Sequence, residues 1–180
     1  MPLLNSHKAR AAKILKALQK LFPQAQCSLH YGNPWELTVA VILSAQCTDK
    51  QVNKITPALF TKYPTLQHYL QADQKEFEKD IHSCGFFRNK TKHILGAAHM
   101  VHEQFGGKMP STMKGILKLP GVARKTANIV LGNVYGVVCG IAVDTHVGRL
   151  AQKLGLTSNA NPDKIERDLM ALIPQKTGLW

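Results

Sequence analysis

The segment 116–131, ILKLPGVARKTANIVL, constrains the fold most because it fixes two helices and the turn between them. Pro120 stops the first helix, and Gly121 permits a backbone conformation that a side chain would hinder. We expect the first helix to end at Leu119 and the second to begin near Ala123. Backbone N–H groups at the start of the second helix can hold a phosphate without reading a base. An ordinary helical hairpin remains an alternative reading of this segment.

Apolar residues recur at helical spacing along most of the chain, and this predicts an all-α fold of nine or ten helices. Asn33 and Pro34 provide an N-cap and a first-turn proline for a helix over 35–45, although its valines and isoleucine are also typical of a buried strand. The β-like segment 134–143 has no second strand to pair with, so we expect a loop there. Further helix starts are expected at Thr48 or Asp49, Thr65, Asp73, Ser111 and Asn161, and helix ends near Cys84 and Phe105.

The charge distribution favours a polyanionic partner. Lys and Arg number 23 against 11 acidic residues, a formal net charge of +12. Between residues 81 and 143 Glu103 is the only acid, whereas eight basic residues occur there: Arg88, Lys90, Lys92, Lys108, Lys114, Lys118, Arg124 and Lys125. Such a basic stretch would neutralise phosphates and release their counterions. A solvated lysine-rich surface explains the charge about equally well.

Two further features indicate a soluble, intracellular, cytoplasmic protein without a bound metal. No stretch approaches the roughly 20 apolar residues of a membrane span, and lysines interrupt the apolar residues of the N-terminal segment. The cysteines are far apart and form no close Cys-x-x-Cys pair, so we expect buried free thiols rather than disulfides or metal ligands: Cys27, Cys47, Cys84 and Cys139.

Four segments together resemble the helix-hairpin-helix DNA glycosylase superfamily, and the endonuclease III family in particular. They are LSAQCTDKQVNK (43–54), CGFFRNKTKHI (84–94), LPGVARKTANIVL (119–131) and IAVDTHVGRL (141–150). The resemblance implies a two-lobed all-α fold with a DNA-binding cleft between the lobes. One lobe would be a helical barrel over 34–138 that includes the helix-hairpin-helix 112–132. The other would join 1–33 to 139–180.

The resemblance also implies the activity. The enzyme would act as a monomer on duplex DNA that contains a damaged base or an abasic site, and not at a membrane. It would remove oxidised pyrimidines and then cleave the abasic site by β-elimination. A lyase of this kind needs an uncharged amine that attacks the sugar C1′ and forms a Schiff base. Lys125 matches the family's lysine, and the helix dipole and the adjacent Arg124 would favour its neutral form. A phosphate-binding or solvated lysine is the alternative.

Asp144 matches the family's catalytic aspartate and is also a good N-cap for the helix that follows it. The two roles are compatible. A carboxylate here could deprotonate or orient the lysine, and it could stabilise positive charge on the sugar as the base departs.

By resemblance, Gln46 and Phe86 fill the hole left by the extruded base. Phe86 departs from the family's usual leucine, and a core aromatic is an equally good reading of it. Asp49 is a candidate for the damaged-base pocket, with an N-cap role at least as well supported. The hairpin residues expected to contact DNA are Gly121, Val122, Ala123 and Arg124, and the candidate phosphate contacts elsewhere are Lys90, His146 and Arg149.

The sequence departs from the family pattern in two places. Ala123 replaces the usual second glycine of the hairpin, so a methyl group could narrow the phosphate approach. The family's Cys-x6-Cys-x2-Cys-x5-Cys set, which holds a [4Fe-4S] cluster, does not occur in the printed sequence. We expect an incomplete chain, with the cluster present only if a missing C-terminal cysteine segment exists.

Two alternative functions fit parts of the same pattern. A non-catalytic helix-hairpin-helix module would use the hairpin only to hold the DNA backbone. A glycosylase for a different lesion, mismatched thymine or adenine, would share the fold. Lys125 and the VDTH sequence weigh against the adenine enzyme, whose pattern resembles this one but lacks the lysine.

Overall fold

The computed structural model describes residues 2–173, with side chains described from residue 6 onward. Over this range the chain forms ten α-helices and one 3₁₀ turn and contains no strand, which confirms the all-α prediction. None of these helices is both long and apolar enough to cross a membrane. The helices are α1 (Pro2–Leu21), α2 (Pro34–Ser44), α3 (Asp49–Lys62), α4 (Leu66–Leu70), α5 (Gln74–Asp80), α6 (Phe87–Phe105), α7 (Met113–Ile116), α8 (Arg124–Tyr135), α9 (Thr145–Lys153) and α10 (Pro162–Leu172), and the 3₁₀ turn is His82–Cys84.

Local capping signals account for most helix boundaries. Asn33 accepts a hydrogen bond from a backbone N–H of α2, as Thr48 does in α3 and Asn161 in α10. At the other end of a helix, Gly106 ends α6 in the left-handed conformation that glycine adopts most readily. These predicted boundaries are confirmed, and the ambiguous segment 35–45 is helical through Ser44, with Ala45 as the C-cap of α2. The start predicted at Ser111 is one residue early, because Thr112 supplies the cap of α7.

The first helix of the hairpin is shorter than predicted. The structure ends α7 at Ile116 rather than at Leu119. The residues that follow tighten into i→i+3 turns, with the Leu119 N–H donating to the Ile116 carbonyl at 3.1 Å. Pro120 provides no backbone N–H, so the chain cannot extend a regular helix across this point.

The chain divides into two compact units, Met1–Gln26 with Val138–Trp180, and Cys27–Val137. The predicted lobes, 34–138 and 1–33 with 139–180, include residues 1 and 174–180, which lie outside the described residues. Those lobe boundaries remain a prediction. The core of the first unit is a cluster of small and aliphatic side chains: Ala11, Val143, Ala151, Leu156, Ile165, Leu169 and Leu172.

The second unit is built around α2. Eight of its eleven residues are buried, and it packs against α3, α6 and α8. Burial on almost every side explains why its sequence has continuous apolar residues rather than a helical stripe. Tyr63, Tyr69 and Phe77 add an aromatic cluster beside Trp35, whose ring contacts that of Tyr69 edge-on at 5.2 Å. This core supports the hairpin, the loop after α2 and the loop before α6.

Candidate functional site

The turn of the hairpin packs directly on α6. Gly121 has φ +76°, and a Cβ built on it would lie 2.7 Å from the Cβ of His93. One turn further along α6, Gly96 leaves room for the Pro120 ring, with 3.6 Å from an added Cβ to the proline Cγ. The position of Gly121 therefore requires glycine for two independent reasons, its backbone conformation and its contact.

The start of α8 lacks a side-chain cap. Its N-cap is Ala123, whose side chain cannot accept a hydrogen bond from the first N–H groups of the helix. The backbone of Ala123 has φ −87° and ψ 173°, an extended conformation that alanine adopts without strain. The replacement of the family's second glycine is therefore compatible with this turn. Val122 is buried and anchors the turn, whereas Gly121 and Ala123 are exposed.

Lys125 lies in the first turn of α8, and both it and the preceding Arg124 are exposed. The pair therefore stands on the surface at the end of the helix where the dipole is positive.

Asp144 is the N-cap of α9, as the sequence predicts. Its Oδ1 accepts a hydrogen bond from the backbone N–H of Val147 at 2.8 Å, and the residue is half-buried. This bond fixes the orientation of the carboxylate. On the same helix, Nη2 of Arg149 lies 3.2 Å from Nδ1 of His146, and both residues are exposed.

Gln46 and Phe86 share an unusual backbone conformation. Among the described non-glycine residues they alone have positive φ, at 53° and 47°. Both are exposed, and Phe86 is 65% accessible, so this phenylalanine is not the core aromatic that the sequence left open. Strained conformations of this kind are concentrated at sites of function, where the surrounding structure holds them.

The structure corrects the expectation for Lys90. Its side chain is only 4% exposed, and Nζ donates hydrogen bonds to the carbonyl oxygens of Leu43 at 2.8 Å and Cys84 at 2.7 Å. Burial lowers the pKa of this lysine. Lys90 is therefore not available for the predicted phosphate contact. A signal for burial exists in the sequence, because Lys90 is four residues before Ile94 and eleven before Val101 on one apolar face of α6.

Asp49 is the first residue of α3 and is not its cap, since Thr48 fills that position. The exposed Asp49 carboxylate accepts a hydrogen bond from the Ser28 hydroxyl. Asn53, one turn further along α3, also binds the segment that precedes α2, because its Nδ2 donates to the Ser28 carbonyl at 2.7 Å. The segment before α2 is therefore fixed against the start of α3, beside the loop that carries Gln46.

The residues of this chain do not fit an iron-sulfur cluster. All four cysteines are free thiols, and only Cys84 is fully buried. Within residues 2–173 no three His, Cys, Asp or Glu side chains are grouped as metal ligands.

Known proteins resemble this chain over most of its length. A family model described as "HhH-GPD superfamily base excision DNA repair protein" matches residues 39–175. Endonuclease III of Synechocystis sp. is 56% identical over 172 residues, which are 96% of this chain and 78% of that protein. Endonuclease III of Bacillus subtilis is 44% identical over 163 residues, 90% of this chain and 74% of that one.

The fold is similar to that of solved DNA glycosylases. A structure of a trapped endonuclease III–DNA covalent intermediate is 43% identical with a TM-score of 0.90, and the match covers 93% of this chain and 79% of that one. A thermostable thymine-DNA glycosylase has a TM-score of 0.81 at 22% identity, over 93% of this chain and 80% of that one, a likeness of fold alone.

Proposed function

Because this chain belongs to the HhH-GPD superfamily of base excision DNA repair proteins, we propose that it removes damaged bases from DNA and cleaves the resulting abasic site. It is a bifunctional DNA glycosylase and abasic-site lyase of the endonuclease III kind. Its partner is duplex DNA within the cell, on which one copy of the chain acts. Its proposed substrates are oxidised pyrimidines.

The observation that carries the mechanism is an exposed lysine in the first turn of α8, directly after the Pro-Gly turn. In the proposed reaction Nζ of Lys125 attacks C1′ of the extruded nucleotide, and the bond from C1′ to the base breaks. The C1′–O4′ bond of the sugar then opens, O4′ takes up a proton, and C1′ forms a Schiff base with Nζ. The Schiff base acidifies C2′, and loss of a C2′ proton expels the 3′ phosphate by β-elimination. Water then hydrolyses the Schiff base and restores the amine.

Asp144 is the proposed partner of this lysine in the chemistry. Its carboxylate would take a proton from the amine and stabilise the positive charge that develops on the sugar as the base leaves. The cap bond to Val147 supports this role because it holds the carboxylate in one orientation before substrate arrives. The cap and the catalytic role use the same side chain.

Binding would rest on the DNA backbone rather than on base sequence. The start of α8, preceded by Gly121, Val122 and Ala123, supplies backbone N–H groups and the positive end of a helix dipole for a phosphate. Arg124, and Arg149 with His146 on α9, are the proposed side-chain contacts. Each phosphate neutralised would contribute to a steep decrease of affinity with salt.

Base extrusion costs a few kcal/mol in lost stacking, roughly, and a side chain must replace the base. Gln46 and Phe86 are the proposed replacements. Their exposure and their strained backbones support this role. Asp49, in the first turn of α3 beyond Gln46, is the proposed residue of the damaged-base pocket.

A nicking assay on three duplexes tests the proposal, with thymine glycol, uracil or a preformed abasic site at one position. We expect cleavage at thymine glycol and at the abasic site, with little at uracil. Binding without cleavage of any duplex would favour the non-catalytic module. Cleavage at uracil and at the abasic site without cleavage at thymine glycol would instead assign a different lesion.

A further inference from the structure

One buried ammonium group joins the two loops that carry Gln46 and Phe86. The first loop follows α2, and the second connects the 3₁₀ turn to α6. Nζ of Lys90 donates to the carbonyl of Leu43, three residues before Gln46, and to that of Cys84, two residues before Phe86. The side chain reaches both from the first turn of α6.

The chemistry of this junction suits a cation. Leu43 lies in the last turn of α2, and Cys84 ends the 3₁₀ turn, so their carbonyls belong to helix ends that have no further helical N–H to pair with. The Leu43 carbonyl also lies at the negative end of the α2 dipole. A buried charge is tolerated only with such hydrogen-bond partners, and charge-assisted bonds are the strong ones.

A second, exposed link connects the same two regions. Nε2 of Gln51 in α3 donates to the hydroxyl of Ser83 in the 3₁₀ turn at 2.8 Å. The regions that carry the two loops are therefore joined by this contact between α3 and the 3₁₀ turn as well as by the two hydrogen bonds of Lys90. Gly85, which precedes Phe86, has φ +65°, and a Cβ built on it would meet nothing within 4 Å, so no contact at that position holds the second loop.

We propose that Lys90 is a positioning residue for duplex insertion, and that its ammonium sets the spacing between the loops of Gln46 and Phe86. Lys90 touches no substrate and acts through the carbonyls of Leu43 and Cys84. The proposal rests on the proposed function of those two side chains, which must enter the stack of a duplex together. A purely structural lysine would stabilise the fold without any preference for duplex substrates.

The test compares abasic-site cleavage in a duplex with cleavage in a single strand, because only the duplex has a base stack to fill. Lys90→Met keeps the aliphatic stem and removes both hydrogen bonds. Val101→Ala, at a buried position of the same helix far from both loops, is the control for general destabilisation. Phe86→Ala is the reference for lost insertion. Rates are divided by the fraction of protein that borohydride traps on the single strand.

We expect Lys90→Met to lose at least tenfold in kcat/KM on the duplex and less than twofold on the single strand, as Phe86→Ala does. Val101→Ala should change both substrates equally. Equal losses on the two substrates for Lys90→Met, or no loss on either, would overturn the proposal. If Lys90→Met does not fold, Lys90→Gln, whose amide can still donate, should show a smaller loss with the same duplex preference.

Failure of the proposed function gives a different result, in which the wild-type protein cleaves neither substrate. In that case binding to a duplex with a tetrahydrofuran site is compared with binding to the same oligonucleotide as a single strand. Lys90→Met should then lower the ratio of the two affinities about tenfold. An unchanged ratio would contradict the role of Lys90 independently of catalysis.

Discussion

His93 of α6 lies so close to Gly121 that a Cβ on the glycine would be 2.7 Å from the Cβ of the histidine. Through this contact the turn of the hairpin packs on α6, a long helix of the same unit. The contact fixes the position of the start of α8, which carries Lys125. A change at Gly121 should therefore affect both the stability of the unit and its affinity for DNA.

We predict that Gly121→Ala destabilises the protein by about 2–3 kcal/mol. A left-handed backbone costs an alanine roughly 1–2 kcal/mol, and the clash with His93 adds to this cost. Because the turn must shift, affinity for duplex DNA should fall at least tenfold. Urea unfolding and a binding titration at fixed salt measure the two effects.

The matched control is Gly107→Ala, since Gly107 has the same φ of +76° and nothing within 4 Å of an added Cβ. Gly107→Ala should cost about 1–2 kcal/mol, the backbone strain alone without a clash. Its DNA affinity should stay within twofold of the wild type. Equal effects at the two glycines would show that the contact with His93 does not position the turn.

Asp144→Asn separates the two roles of this residue. Asparagine is as good an N-cap as aspartate, so the free energy of unfolding should change by less than about 0.5 kcal/mol. The charge is lost, and the rate of base release should fall on the order of 10²–10³-fold. Single-turnover cleavage of a thymine glycol duplex measures the rate.

Asp73→Asn makes the same change at the N-cap of α5, where Asp73 accepts from the Glu76 N–H at 2.9 Å. That variant should keep wild-type activity. A comparable loss of activity in both variants, or a fully active Asp144→Asn protein, would rule out the catalytic role of the Asp144 charge.

Asp168 gives the first unit a stability that depends on pH. Hydrogen bonds from Thr157 and Asn159 hold the pKa of this carboxyl below its ordinary value. A lowered folded-state pKa contributes stability that is complete above the unfolded value, about 3.9, and that is lost as the pH falls through the folded value. The wild type should therefore have a higher free energy of unfolding than Asp168→Asn. This difference should be constant from pH 7 to 5 and decrease below pH 4.

Urea unfolding of both proteins at pH 7, 5, 4 and 3 checks this prediction, because other carboxyl groups titrate equally in the two. The direction in which the stability difference changes with pH decides the test. A difference in stability that grows toward low pH, or does not change, would show that the hydrogen bonds do not favour the ionised Asp168.

The sequence predicts well what local chemistry determines. Asn33 with Pro34 and Gly106 mark helix ends through caps that need only neighbouring residues. Residues whose environment depends on distant segments are harder to predict. The resemblance to the family predicts a phosphate contact for Lys90, yet its Nζ donates to the carbonyl of Leu43, 47 residues away.

The candidate site shows the same division. The turn before α8 follows from Pro120 and Gly121, and the cap of α9 follows from Asp144. The positive φ of Gln46 and Phe86 has no local signal, because neither residue type favours that conformation.

Lys125 is the residue on which the proposed chemistry most depends, and reduction of its Schiff base tests it most directly. Wild-type protein is mixed with abasic duplex DNA and sodium borohydride, and the covalent adduct is digested and sequenced. We predict a single modified peptide with the DNA remnant on Lys125, and no adduct with Lys125→Ala. A robust adduct with Lys125→Ala, or a remnant on a different lysine of the wild type, would contradict the assignment.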